Sequence, residues 1–278
     1  MFDVESITAR RILSPVSGFL AEAGFSHSLT PARNCTFGCL YCYVPTMRVQ
    51  AGLAREDWER WGQRTAFKQN AAALLSRELK PGQSIYCSPL TDPYQPAEES
   101  ARQMPGILSA LALRPPAVFV IQTRGPLIVR DRDLLAAIPG ARVSFSLTTA
   151  DEQVRRRLEP HCPPLSARIE AMRELRAAGV RVFATLAPLL PGDVEDLARQ
   201  AIAATNEDLV GDPLHVRLVK PRGATTRATA LPILERHGWS GWLDPGFQAE
   251  QVERVRSVAA QAGRRFLTGP EGFALLSK

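Results

Sequence analysis

Histidine is scarce in this chain. There are four in 278 residues, His27, His161, His215 and His237, too scattered for a triad or for a histidine metal site. Long apolar runs are missing as well: no stretch approaches the ~20 residues that a membrane-spanning helix needs. The opening Met1-Phe2-Asp3-Val4-Glu5 lacks the basic-then-apolar pattern of a secretory leader. The expectation is a cytoplasmic protein without a membrane partner. No internal repeat, low-complexity tract or linker divides the sequence. Cysteines number five, an odd count that, without a leader, speaks against a disulfide framework.

What is present is ordinary globular material, 45% hydrophobic and 22% charged, enough for a sizeable core. The formal charge of +6 would help attract a polyanion such as DNA or RNA. Short runs such as Arg10-Arg11, Arg155-Arg156-Arg157 and Arg264-Arg265 are nevertheless explained more simply as solvated surface.

The chain is organised around Asn34–Tyr43, where Cys35, Cys39 and Cys42 stand in a C-x3-C-x2-C arrangement with Tyr41 before the last thiol. Three thiolates this close can hold three irons of a cubane cluster and leave the fourth iron without a protein ligand. They could also be part of a zinc site completed from a distance. Zinc modules usually show two paired knuckles, and neither Cys87 nor Cys162 has a Cys or His partner at that spacing. The iron–sulfur reading is therefore preferred.

Around this loop the sequence alternates. Short apolar or β-branched runs at Phe25–Leu29, Ser84–Cys87, Ala117–Thr123, Arg142–Thr148, Val180–Ala187 and Leu214–Val219 are separated by helical stretches. Those helices are expected at Asn70–Leu79, Ala97–Leu113, Arg132–Ala137, Pro164–Ala178 and Val194–Ala204, with a last one over 245–263. Leu165, Ile169, Met172 and Leu175 form one apolar stripe at helical spacing. Strand intervals of about thirty residues are those of βαβ units and a parallel sheet. The fold class is α/β, a partial (β/α)6 TIM-type barrel over 25–220. Residues 1–24 read as a lead-in and 221–278 as a helical extension packed on the barrel.

In such barrels the working residues collect after the strands. Here those places hold Cys35, then Thr91, Asp92, Tyr94 and Gln95, then Thr123-Arg124, then Ser144, Ser146 and Thr148, then Lys220-Pro221-Arg222.

The cysteine loop resembles the signature of the radical S-adenosylmethionine (radical SAM) superfamily. Five further motifs appear in order: Thr-Asp-Pro-Tyr-Gln-Pro (91–96), Thr-Arg-Gly-Pro-Leu-Ile (123–128), Ser-Phe-Ser-Leu-Thr-Thr (144–149), Leu-Glu-Pro (158–160) and Ala-Pro-Leu-Leu-Pro-Gly (187–192). Together they resemble the branch similar to spore photoproduct lyase, over roughly residues 25–220.

The resemblance implies a 4Fe–4S cluster on Cys35, Cys39 and Cys42, and SAM chelated at the open iron. It implies reductive cleavage of SAM to a 5′-deoxyadenosyl radical, and an external one-electron reductant such as flavodoxin or ferredoxin. Thr123 and Arg124 would then stand near the SAM carboxylate, Ser146 would offer a hydroxyl contact, and Tyr41 would pack near the adenine. The Gly-Gly-Glu stretch of other branches is absent; Asp92, Tyr94 and Glu98 stand in its place. Cys87, five residues before Asp92, is the candidate hydrogen donor of a lyase-like repair of a DNA pyrimidine photoproduct, and Tyr94 is the second catalytic candidate. Glu159 is expected in a local salt bridge and Cys162 to be incidental. The alternative is a non-catalytic iron–sulfur protein that carries electrons or binds nucleic acid.

Overall fold

The structure, a computed structural model, describes residues 2–47, 52–216 and 225–278. In chain order its strands are β1 Asp3–Ile7, β2 Leu13–Pro15, β3 His27–Leu29, β4 Ala32–Arg33, β5 Arg64–Lys68, β6 Ser84–Cys87, β7 Val118–Thr123, β8 Ala141–Ser146, β9 Arg181–Leu189, β10 Leu209–Pro213 and β11 Phe266–Thr268. Eight of them form one sheet in the order β11-β10-β9-β8-β7-β6-β3-β2. Its neighbours are parallel except at the antiparallel β2–β3 edge. Helices Gln103–Leu113, Arg132–Ala136, Leu165–Ala177, Val194–Ala204 and Pro245–Gln261 occupy the crossovers from β6 to β11. This is the partial TIM-type barrel that the alternating pattern predicts, except that residues 221–278 do not only pack on it as helices: β11 joins the sheet as a seventh parallel strand beside β10.

The central strands read as continuous apolar runs because both of their faces are covered. One face carries Ile85, Phe119, Ile121, Val143, Phe145, Val182, Ala184 and Leu186, packed in the large core with Leu108, Leu111, Ile169, Met172 and Leu197 of the helices. The other face carries Tyr86, Val118, Val120, Phe183 and Val210, packed with Phe25, Phe273 and Leu276. Helix Gly269–Ser277 thus closes the inner face near the strand starts, and Arg142 Nη1 donates to the Leu276 carbonyl at 2.6 Å. Further along the same face the side chains turn polar, with Gln122, Ser144, Ser146 and Thr185. Chemistry is left to the C-terminal strand ends.

The sixth barrel strand is displaced from its expected place. It is β10, Leu209–Pro213, rather than Leu214–Val219; residues 214–216 have no regular structure and 217–219 lie outside the described residues. Packing demands glycine at position 211 of this strand. A Cβ there would stand 2.5 Å from the Leu186 carbonyl oxygen and 2.6 Å from the Phe266 ring. The helix expected over Ala97–Leu113 is broken at Arg102, whose φ of 48° ends one turn and lets Gln103–Leu113 start anew. Glu98 caps the second segment by accepting from Gln103 N at 3.1 Å and Met104 N at 2.9 Å.

Residues 1–24 supply β1, β2 and the short helix Phe19–Glu22. β1 pairs in parallel with β5, and β4 pairs antiparallel with it. This small sheet delivers the chain to Asn34 and the cysteine loop.

Candidate cluster and ligand site

The loop 34–42 is held from several sides. Asn34 has φ of 65°, a left-handed conformation that asparagine tolerates, and its Oδ1 accepts from Cys35 N at 2.8 Å. Thr91 Oγ1 donates to the Asn34 carbonyl at 2.6 Å, and Gln95 Oε1 accepts from Thr36 N at 2.7 Å. The motif after β6 is therefore the wall of the cysteine loop. Gly38 is required: at φ of 65° any Cβ would lie 2.9 Å from the Gly62 Cα.

The three thiols differ. Burial pushes Cys35 well above the usual thiol range, with Asp92 adding to the effect, and burial pushes Cys42 up to about 12. Cys39 is pulled the other way, first by a hydrogen bond from Cys162 and then by the Arg124 guanidinium, against the opposing effect of burial. Arg124 Nη1 lies 3.1 Å from Cys39 Sγ, and the two sulfurs of Cys39 and Cys162 are 3.6 Å apart.

Behind Cys39 sits a buried ionic cluster built on Glu159, whose side chain is fully buried. Its Oε1 accepts from Arg124 Nη1 at 2.8 Å, Thr148 Oγ1 at 2.8 Å and the Tyr41 hydroxyl; its Oε2 accepts from Arg168 Nη2. Burial alone would raise this carboxyl, but Arg168 and Arg124 outweigh it and hold it at about 2. Arg168 also donates to the carbonyls of Pro163 at 3.0 Å and Ser146 at 3.1 Å. One carboxylate thus ties the cysteine loop to the ends of β7 and β8 and to helix Leu165–Ala177.

Asp92 performs a second tie. Its Oδ1 accepts from Thr123 Oγ1 at 2.6 Å and Tyr94 N at 2.9 Å, and its Oδ2 accepts from Arg124 N at 2.9 Å. Burial raises this carboxyl against those contacts. Ser146 Oγ accepts from Gln122 Nε2 at 2.6 Å, and Gln122 Oε1 accepts from the Tyr86 hydroxyl at 3.0 Å.

Of the residues singled out by sequence, Cys39, Tyr41 and Arg124 meet directly, and Asp92 and Thr123 fix the backbone of Arg124. Ser146 joins this group through its carbonyl and Arg168. The Tyr41 hydroxyl is engaged by Glu159 and Arg124. Cys87 ends β6 fully buried in the same core cluster as Cys35, Cys39 and Tyr94, near enough to Asp92 to feel its charge, whereas its neighbour Tyr86 points to the inner face. The Tyr94 hydroxyl donates to Asp131 at 3.1 Å, within a network that includes Arg130 and Glu98. Lys220 and Arg222 lie outside the described residues.

Sequence reading missed the centrality of Glu159, Arg168 and Cys162. Arg168 carried a signal, because it falls within the apolar stripe Leu165, Ile169, Met172, and a charge on a buried face demands a buried partner. Cys162 carried none.

The donor set can be tested against what it could hold. Among the described residues, Cys39, Glu159 and Cys162 are the one group with ligand atoms all within 4.8 Å of one another. Two thiolates on one zinc stand about 3.8 Å apart, given Zn–S bonds near 2.3 Å, so the Cys39–Cys162 distance alone would suit an ion. Glu159, however, already accepts four hydrogen bonds, and two guanidiniums press on the place such a cation would take. Cys35, Cys39 and Cys42 are spread more widely than thiolates gathered on one ion. They do not form a group with all ligand atoms within 4.8 Å, which disfavours a single ion, and the Arg124 guanidinium at Cys39 suits an anionic sulfur cluster.

The description Radical SAM superfamily matches residues 29–203. An uncharacterized protein of Mycobacterium tuberculosis is 32% identical over 267 residues, covering 87% of this chain and 76% of that protein. An uncharacterized protein of Methanocaldococcus jannaschii is 25% identical over 206 residues, covering 73% of this chain and 75% of that one. Among solved structures, spore photoproduct lyase complexed with dinucleoside spore photoproduct superposes with a TM-score of 0.57 at 13% identity, over 87% of this chain and 80% of that one. The radical S-adenosylmethionine methyltransferase TsrM from Kitasatospora setae gives a TM-score of 0.53 at 12% identity, over 98% of this chain and 60% of that one. At such identities the superpositions speak for the fold alone.

Proposed function

This chain belongs to the radical SAM superfamily, whose members use a 4Fe–4S cluster and SAM, and we propose that Cys35, Cys39 and Cys42 are the three protein ligands of its cluster. A cluster held by these three residues would supply one-electron chemistry, the reductive cleavage of SAM to methionine and a 5′-deoxyadenosyl radical.

The chain's own residues would do the rest. The buried loop excludes water from Cys35 and Cys39, which are 7% and 6% exposed. Arg124 would hold the SAM carboxylate. Its three side-chain hydrogen bonds to described residues all use Nη1, which leaves the other edge of the fork for a bidentate pair. Asp92 and Thr123 set the backbone that aims Arg124, and Ser146 offers its hydroxyl from the end of β8. Tyr41 lies along Arg124, with the guanidinium carbon 5.9 Å from the ring centroid.

The observation that carries this reading is the contact between Arg124 and Cys39, which joins the end of β7 to the cysteine loop. An electron carrier could use a donor to that sulfur, but it would have no use for the second edge of the fork, which stands beside the sulfur without a partner among the described residues.

The first substrate class to test is a pyrimidine photoproduct in DNA. The fold resemblance and the chain's basic charge favour it, whereas the candidate hydrogen donor Cys87 is fully buried.

The test is anaerobic. The protein is reconstituted with iron and sulfide, reduced with dithionite and given SAM, and 5′-deoxyadenosine is quantified against Cys39→Ala, then with UV-irradiated DNA. The reading requires product from the wild type and none from Cys39→Ala. Equal background in both would sink it.

A further inference from the structure

Cys162 is a buried thiol for which the proposed chemistry has no use. It is 4% exposed and its sulfur touches that of Cys39 at 3.6 Å. Its position is fixed by three backbone contacts. Cys162 N donates to the Glu159 carbonyl at 3.1 Å, its own carbonyl accepts from Arg155 Nη1, and the next carbonyl, of Pro163, accepts from Arg168 Nε at 3.0 Å. A thiol pinned this firmly against a cluster-ligand candidate does more than fill space.

We propose that Cys162 donates its S–H to the sulfur of Cys39 and thereby raises the reduction potential of the cluster, a role that rests on the cluster reading above. Hydrogen bonds to ligating sulfurs withdraw electron density and favour the reduced cluster, which makes them a principal lever on its potential. Arg124 acts on the same sulfur in the same sense from 3.1 Å. Cys39 thus receives two side-chain donors, while among the described residues no side chain donates to Cys35 or Cys42.

Cys162 is not a fourth ligand in this account. It shares one corner with Cys39, and thiolates on different irons of a cubane stand farther apart than two that meet at one atom's width. Cys162 is a positioning residue, acting through Cys39.

The experiment compares the wild type with Cys162→Ala, Cys162→Val and Cys162→Ser, all reconstituted anaerobically. Iron and sulfide are counted, and the cluster is titrated potentiometrically with EPR detection. Alanine and near-isosteric valine both remove the donor, so a cavity effect in one is not shared by the other; serine restores a donor. The expected result is four irons in every variant, a midpoint shifted to more negative potential in both Ala and Val, and a return toward wild type in Ser. An unchanged midpoint in Ala and Val overturns the proposal, and so does loss of iron from either, which would make Cys162 a ligand. A wild type that shows no cubane signal overturns the cluster reading itself, and is told apart from the other results by its iron count.

Discussion

Two buried networks of tyrosine, carboxylate and arginine flank the barrel mouth, and they differ in sign. In one, a single carboxylate, Glu159, pairs with two guanidiniums, Arg124 and Arg168, and takes the Tyr41 hydroxyl. In the other, a single guanidinium, Arg130, pairs with two carboxylates, Glu98 and Asp131, and Asp131 takes the Tyr94 hydroxyl. The first has a surplus of positive charge and touches Cys39. The second has a surplus of negative charge, and its carboxylates are spent on capping helix Gln103–Leu113 and fixing Tyr94. Similar parts thus make an anion-favouring corner at the thiols and a structural brace beside it.

The sharpest way to break this contrast is to remove the hub of each network. Glu159→Gln leaves two buried guanidiniums unpaired and should cost about 3–5 kcal/mol of unfolding free energy, read by urea denaturation, with iron uptake impaired as Tyr41 and Arg124 lose their anchor. Arg130→Met leaves two carboxylates facing each other. It should cost about 2–3 kcal/mol, less because Arg130 is the more exposed hub. If both variants lost iron equally, the division of labour between the networks would be wrong.

Titration separates them as well. The Glu159 carboxyl is held at about 2, below its ordinary 4.5. Its contribution to stability is therefore present above pH 4.5 and lost as pH falls through about 2. Glu98 is shifted in the opposite direction, raised by burial despite Met104 N and Arg130. Its contribution is full below pH 4.5 and declines as pH rises through its raised value. Unfolding free energies between pH 2 and 7 for the wild type, Glu159→Gln and Glu98→Gln should show difference curves of opposite slope. Slopes of the same sign would contradict the assignment.

A smaller effect tests the expectation of a catalytic Tyr94. Tyr94→Phe removes one hydrogen bond to Asp131 and should cost about 1 kcal/mol, measured by thermal or urea unfolding. A tenfold fall in 5′-deoxyadenosine without that loss of stability would bear out the expectation of a catalytic Tyr94.

Much of the barrel was legible because its signals are local. Ser84–Cys87 and Val194–Ala204 fall where the periodicity puts them, and Asp193 caps the latter helix with bonds of 2.9 and 3.0 Å to Glu195 N and Asp196 N. The cysteine spacing, Arg124 and Asp92 were legible for the same reason. What was not legible depends on distant partners. β10 hides behind Gly211, whose reason is the Phe266 ring from 55 residues away in sequence. β1 and β5 are weak alone and form because they pair with each other. Glu159 looks like an ordinary helix-end acid until Arg124 and Arg168 close on it, and the meeting of Cys162 with Cys39 across 123 residues has no local trace. Pairings between elements, rather than propensities within them, set the chemistry of this corner.

The most direct test of the central claim is the EPR spectrum of the reduced, reconstituted protein with and without SAM, for the wild type and Cys39→Ala. A cubane cluster on Cys35, Cys39 and Cys42 with one iron free of protein ligands would give one cubane signal in the wild type that changes on adding SAM, and no such signal in Cys39→Ala. A cubane signal indifferent to SAM, or protein that takes up zinc and no iron, would contradict it.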